Sequence, residues 1–147
     1  MSILVGDLET DGFKPHNIWV VGVLDYATDE FTAYTGENVA EGLMRLAEAD
    51  LVIGHNFSDY DAAVIEKLTD GMIVIDPAKI VDTLTLGRRV LPEMKCQKLE
   101  EWGEILGWPK IKFDEGFDQF RQSMVPYCQR DCEVTKRVFD FLMELDR

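Results

Sequence analysis

Ile3-Leu4-Val5-Gly6-Asp7-Leu8-Glu9 is an apolar run that ends on two carboxylates, and Thr10-Asp11-Gly12 follows as turn chemistry. Ile3–Val5 reads as a buried strand. Side chains alternate across a strand, so Asp7 and Glu9 share one face and Leu8 takes the other. On this reading Leu8 enters the core, while both carboxylates point outward at the C-terminal end of the strand. Two carboxylates this close repel, and one holds its proton unless a cation lies between them. Asp-x-Glu is a frequent accident of sequence, so its meaning depends on what the rest of the chain brings beside it.

Outward from this run, Ile18-Trp19-Val20-Val21-Gly22-Val23-Leu24 is rich in β-branched residues and nearly all apolar, which suits a central strand. Asp25 to Glu30 makes a turn, and Phe31-Thr32-Ala33-Tyr34 returns as a third strand, so the chain opens as an antiparallel meander. Val39 to Ala49 has helical spacing through Leu43, Leu46 and Ala47. Leu51-Val52-Ile53-Gly54 comes after that helix and is expected to lie parallel to the first strand. Asp61 to Leu68 reads as a helix. Ile80 to Leu84 leads into another, with Asp82 or Thr83 as its N-cap. Leu99, Trp102 and Leu106 mark a further helix that stops at Gly107-Trp108-Pro109. In the last helix Cys128, Cys132, Thr135, Val138, Phe139, Leu142 and Leu145 form one apolar stripe, and Pro126 suits the first turn. The expected fold is α/β, with a mixed central sheet of about five strands flanked by helices.

The 147 residues are enough for one substantial core, and residues 1–147 are expected to form a single domain. No repeat or low-complexity stretch interrupts them. No basic segment followed by a long apolar one opens the chain, and no apolar run has the length of a membrane span. A cytoplasmic location is expected, the host cytoplasm if the protein is phage-encoded. Cys96, Cys128 and Cys132 lack the partners of a zinc site and read as thiols of a reducing compartment. The formal net charge is −13, unevenly spread. Residues 1–78 carry 3 basic and 15 acidic side chains, and residues 79–112 carry 7 basic and 5 acidic. The second stretch, with Arg88, Arg89, Lys95 and Lys98, is a candidate phosphate-binding strip on an acidic body.

Two more blocks carry chemistry. Gly54-His55-Asn56-Phe57-Ser58-Asp59-Tyr60-Asp61 follows the fourth strand. If that strand lies beside the first, its C-terminal end delivers this loop next to Asp7 and Glu9, in the crevice where open α/β sheets place ligands. Tyr127 and Asp131 are four apart on the last helix and project from one face. Alone, Asp61 is a helix N-cap and Tyr127 and Asp131 are surface residues. Together, Asp7, Glu9, Asp61 and Asp131 supply the oxygen ligands that hard divalent cations such as Mg²⁺ prefer, with room for two ions. Two such ions suit in-line displacement at phosphorus.

These blocks resemble the three exonuclease motifs of the DEDD superfamily, the 3′–5′ exonucleases with a ribonuclease-H-like fold. Asp7 and Glu9 match the first motif, Asn56 to Asp61 the second, and Tyr127-Cys128-Gln129-Arg130-Asp131 the third. Tyr four before Asp is the mark of the tyrosine subclass; His16 and His55 both lie far from the last helix. Ile80-Val81-Asp82-Thr83-Leu84-Thr85-Leu86 and Leu99-Glu100-Glu101-Trp102-Gly103 extend the likeness toward the exonuclease domain of phage family-A DNA polymerases. Such domains precede a polymerase domain; a free-standing exonuclease, an excised domain and one subunit of a split enzyme all fit a sequence that stops at Arg147.

The resemblance implies a 3′–5′ exonuclease that uses two divalent cations, Mg²⁺ or Mn²⁺, on single-stranded or frayed DNA ends and releases nucleoside 5′-monophosphates. It implies that Asp7 bridges both ions, that Glu9 and Asp131 help hold the ion that activates water, that Asp61 supports the second ion, and that Tyr127 orients the attacking water. Asn56, Phe57, Tyr60 and Phe13 are candidates for substrate contact, the aromatic ones by stacking on terminal bases. Arg88, Arg89, Lys95 and Lys98 are candidates for phosphate contact. The alternatives are a ribonuclease of the same superfamily and a non-catalytic scaffold that keeps the fold. An acidic nuclease is expected to need a replication partner, such as a polymerase or a single-strand-binding protein, to hold it at a DNA end.

Overall fold

A computed structural model describes residues 1–147. Strands β1 (Ile3–Thr10), β2 (Ile18–Asp25) and β3 (Phe31–Thr35) form the expected meander. Helix α1 (Val39–Glu48) leads to β4 (Leu51–Gly54), and a five-residue π-helical turn (Phe57–Asp61) leads into α2 (Ala62–Leu68). Strand β5 (Ile80–Asp82) runs directly into α3 (Thr83–Val90), which is followed by α4 (Leu99–Ile105) and the 22-residue α5 (Met124–Leu145). No helix is long and apolar enough to cross a membrane.

The five strands form one sheet in the order β3-β2-β1-β4-β5. β1 pairs antiparallel with β2 and parallel with β4; β4 pairs parallel with β5. The parallel half follows from the helix between β3 and β4, which carries the chain across the sheet before it can pair again. The strand over Ile80–Asp82 is the one element that the sequence shows only as the approach to a helix.

Alternation along β1 divides its side chains between two layers. Leu4 and Leu8 join Leu43, Leu46, Phe57 and Ile65 in the larger core, under α1 and α2. Val5 joins Leu24, Ile53 and Cys132 on the face covered by α5. Asp7 and Glu9 fall on that second face. They do not point outward, as the sequence suggests, because α5 lies over the end of the sheet: Glu9 is only 6% exposed. The close fit of α5 depends on Gly22, the β2 residue opposite Asp7. A Cβ there would meet the Cys128 sulfur at 2.4 Å.

Candidate active site

Three elements, β1, the turn after β4 and α5, deliver acidic side chains to one place. β1 brings Asp7 and Glu9, and its pairing with β2 shifts register after Glu9. Such an irregularity ends regular pairing at the mouth of the site. β4 ends at Gly54, where the absence of a side chain lets the Phe57 ring fold back against the backbone; a Cβ would lie 2.5 Å from it. Asn56 takes a left-handed conformation (φ 55°), which Asn tolerates better than most residues. Its N–H and that of Ser58 donate to the Asp82 carboxylate at 2.9 and 3.0 Å, and Asp82 also caps α3 through the Leu84 N–H. Asp82 thus ties the β4–α2 loop to the end of β5. This role lies beyond the N-cap that the sequence suggests, because it needs two distant N–H groups.

The loop turns so that Asp61 reaches back across the sheet. Its Oδ2 accepts a hydrogen bond from the Leu8 N–H at 3.0 Å, and its side chain makes no capping bond to α2. The N-cap expectation is therefore replaced by a contact with the residue between Asp7 and Glu9. From the other side, α5 contributes Tyr127, Cys128 and Asp131. One oxygen of Asp7, one of Glu9 and the Cys128 sulfur all lie within 4.8 Å of one another. Cys128 Sγ is 3.6 Å from Asp7 Oδ2.

Lys110 is the only cation inside this group of acids. Its Nζ lies 3.5 Å from Asp131 Oδ2 and donates to the Tyr127 hydroxyl at 3.3 Å. The chain from Trp108 to Phe113 carries it there without regular structure. In sequence it is one of seven basic residues in the strip, and nothing local sets it apart. The Trp108-Pro109 stop after α4, which turns the chain back over α5, is the only signal that could have found it.

The electrostatics follow from four acids sharing one buried place. Burial, then the charge of Asp7, pushes Glu9 up to about 12. Burial and the charge of Asp7 push Asp131 up to about 8, although Lys110 opposes the shift. Burial raises Asp7 and Asp61 as well. Burial works against the Lys110 ammonium, but Asp131 and Tyr127 raise its pKa above the ordinary lysine value. One buried oxygen, Asp131 Oδ1, has no hydrogen-bond partner. Surplus carboxylates, hard oxygen donors and an unsatisfied buried oxygen fit a site for divalent cations held by Asp7, Glu9, Asp61 and Asp131.

A cleft of about 610 Å³ opens over the group, lined by Glu9, Thr10, Phe13, Asn56, Tyr60, Lys110 and Tyr127, among others. Phe13 stands 98% exposed on its rim. Tyr60 holds the wall: its hydroxyl is 2.6 Å from Thr10 Oγ1 and donates to the Gly12 carbonyl at 2.7 Å. Phe57, a stacking candidate from sequence, is fully buried in the main core and does not line this cleft. A second cleft of about 450 Å³ is lined by Arg88, Lys95 and Lys98 together with His55 and Asn56, so Asn56 borders both. Arg89 does not join that strip; its guanidinium pairs with Asp146 at the far end of α5, at 3.0 Å. His55 lines the second cleft and is held from two sides. Nε2 donates to the Gln97 carbonyl at 2.8 Å, so in the neutral ring Nδ1, 2.7 Å from Thr83 Oγ1, accepts from that hydroxyl.

Known structures share this architecture. NrnC from Brucella melitensis, bound to pGG, is 20% identical with a TM-score of 0.76, over 97% of this chain and 72% of that one. The same protein with bound Mg²⁺ gives 20% and 0.75 over the same shares. The Phi29 DNA polymerase complexed with primer-template DNA is 12% identical with a TM-score of 0.67, over 99% of this chain but 32% of the polymerase. The family B DNA polymerase of the archaeon Pyrobaculum calidifontis gives 14% and 0.67, over 99% and 24%. At these identities the likeness shows the fold. No curated protein matches in sequence. The sequence profile of the RNase H superfamily matches residues 4–110, most of the chain. The chain belongs to the RNase H superfamily.

Proposed function

We propose that this RNase H superfamily nuclease is a metal-dependent 3′–5′ exonuclease that removes nucleoside 5′-monophosphates from single-stranded or frayed DNA ends. The observation that carries the reading is the convergence of Asp7, Glu9, Asp61 and Asp131 on one buried point, with Tyr127 beside them and a cleft above. The similar structures support it: NrnC is described with bound Mg²⁺, and the Phi29 polymerase with single-stranded DNA. Divalent cations bound by the four carboxylates supply positive charge for the attacking and leaving oxygens of the phosphodiester.

The chain's own groups then divide the work. Tyr127 places its hydroxyl toward the attacking water, and Lys110 fixes that hydroxyl from behind. Lys110 also keeps Asp131 more acidic than burial alone would leave it. Asp61, held by the Leu8 N–H, fixes the spacing between the loop and β1. Phe13 on the exposed rim stacks on the terminal base, and Tyr60 keeps the wall rigid. Asn56 marks the passage from the reaction cleft to the second cleft, where Arg88, Lys95 and Lys98 meet upstream phosphates. With a net charge of −13 the free chain repels nucleic acid over most of its surface. It therefore works as a weak, distributive nuclease that relies on a replication partner, a polymerase or a single-strand-binding protein, to hold it at a DNA end.

A second reading has its own support. The pGG held by NrnC favours action on short RNA oligonucleotides. One experiment separates the two: 5′-labelled DNA and RNA strands of matched sequence are incubated with the chain and Mn²⁺ or Mg²⁺. A ladder that shortens from the 3′ end on DNA supports the first reading, and a ladder on RNA alone supports the second. Cuts at internal positions only would defeat both.

A further inference from the structure

Cys128 is the one cage residue that a hard-ion site does not need. Its sulfur is fully buried and faces Asp7, 3.6 Å from Oδ2 and 3.7 Å from the main-chain oxygen. With Asp7 and Glu9 it forms a set of three possible ligands within 4.8 Å. Zn–S bonds of about 2.3 Å and Zn–O bonds of about 2.1 Å at a tetrahedral angle place sulfur and oxygen about 3.6 Å apart. The Cys128–Asp7 separation thus already matches one edge of a zinc tetrahedron, and without metal the same contact is a weak S–H···O hydrogen bond. A second observation points to a ligand here. Asp131 lies one turn further along α5, 5% exposed, and its Oδ1 has no partner. It is close enough for its charge to act on Glu9.

We propose that Cys128 gives the carboxylate cage a second metal preference: a thiophilic divalent ion of the zinc class binds there through Asp7, Glu9 and the Cys128 thiolate. The inference rests on the reading of the cage as a divalent-cation site. Mg²⁺ has little use for sulfur, so with Mg²⁺ the thiol stays a packing group. A softer ion displaces the thiol proton to solvent, together with the carboxyl proton that the crowded acids hold, and gains a ligand that Mg²⁺ forgoes. Asp7, Glu9 and Cys128 supply three donors within 4.8 Å of one another, which leaves the fourth position of a tetrahedral ion open.

The test uses Co²⁺ as a coloured substitute for zinc, on the whole chain freed of metal by a chelator. The expected result is a near-ultraviolet thiolate-to-cobalt charge-transfer band that zinc removes stoichiometrically. The band should survive in Cys96→Ser and vanish in Cys128→Ser, a smaller side chain that fits where Gly22 leaves room for the thiol. Zinc affinity should fall about 10- to 100-fold or more in Cys128→Ser, the scale on which even outer-shell partners of a metal matter. Mn²⁺ binding, followed by its paramagnetic signal, should change far less. Mn²⁺ binding with Co²⁺ bound but no band in the wild type would overturn the thiol claim and leave the cage intact. Absence of both Mn²⁺ and Co²⁺ binding would overturn the cage reading and this inference together. A band that persists in Cys128→Ser would assign the sulfur elsewhere and overturn the proposal.

Discussion

Asp61 Oδ2 accepts the backbone N–H of Leu8 at 3.0 Å, a contact that spans 53 residues and joins the second carboxylate block to the first. Leu8 is the residue between Asp7 and Glu9, so the bond sets where the loop carboxylate lies relative to that pair. Asp61→Ala should leave a buried N–H without a partner and destabilise the fold by about 1–3 kcal/mol. Asp61→Asn keeps an accepting oxygen and should preserve thermal stability while it lowers turnover. Thermal melts and single-turnover rates of the two variants check this. Equal stability loss in both would show that charge, and not the hydrogen bond, holds the loop.

The raised carboxyls fix the sign of a pH effect on the metal-free protein. Asp131 goes from the ordinary 3.8 to about 8 and Glu9 from 4.5 to about 12 on folding. Between the ordinary carboxylate range and about 8 the folded chain binds more protons than the unfolded chain. Stability from these groups is therefore complete at low pH and is lost as pH rises, the Asp131 share being gone above about 8. Tm of the chelator-treated protein should fall from about pH 5 to about pH 8, and Mn²⁺ should raise Tm most at the upper end. A metal-free Tm that climbs across this window would contradict the shared-burial picture.

Lys110 and the divalent cations compete for the same carboxylates. Lys110→Met should therefore raise Mn²⁺ affinity, because a nearby positive charge is gone, yet lower turnover by roughly 10- to 10³-fold through loss of the bond to Tyr127. Tyr127→Phe should lower turnover on a similar scale with metal affinity unchanged. Calorimetry beside single-turnover kinetics reads both quantities. Parallel losses of affinity and rate in Lys110→Met would make it a folding residue instead.

The sequence shows the meander and the β1–β4 pairing, because these depend on local alternation and on short spacings, and the same spacings single out the five residues proposed for the site. It does not show which side of β1 is covered. That depends on α5, over a hundred residues away, whose close approach rests on Gly22. Phe57 reads as a loop aromatic, but Gly54 and Gly6 give it a pocket in the core, where a Cβ on either would meet its ring. Arg88 and Arg89 look equivalent in sequence. A helix turns successive residues about 100° apart, so one faces the cleft and the other the end of α5. Lys110 lies in irregular chain, where no periodicity reports direction.

Gly22 should accept no side chain. Gly22→Ala would drive a methyl to 2.4 Å from the Cys128 sulfur, with the Phe31 ring at 3.2 Å. Overpacking of this kind costs about 1–3 kcal/mol, and here it also lifts α5 from Asp7. Denaturant unfolding and Mn²⁺ affinity should both drop. A variant with wild-type stability and metal affinity would show that α5 can yield at no cost.

The two neighbouring arginines should separate in binding. Arg88→Glu should weaken single-strand binding and flatten its salt dependence by about one phosphate contact, whereas Arg89→Glu should leave the salt slope unchanged. Anisotropy titrations over a salt series measure this. Equal effects would move the nucleic-acid path toward the end of α5.

Single-turnover cleavage of a 5′-labelled single-stranded DNA by the wild type and by Asp7→Asn, with Mn²⁺ and after exhaustive chelation, decides whether the carboxylate cluster is a metal-dependent exonuclease site. The expected result is stepwise shortening from the 3′ end in the wild type with Mn²⁺, no cleavage after chelation, and loss of nearly all activity in a folded Asp7→Asn. Shortening that survives chelation, or that proceeds at the wild-type rate in Asp7→Asn, would contradict it.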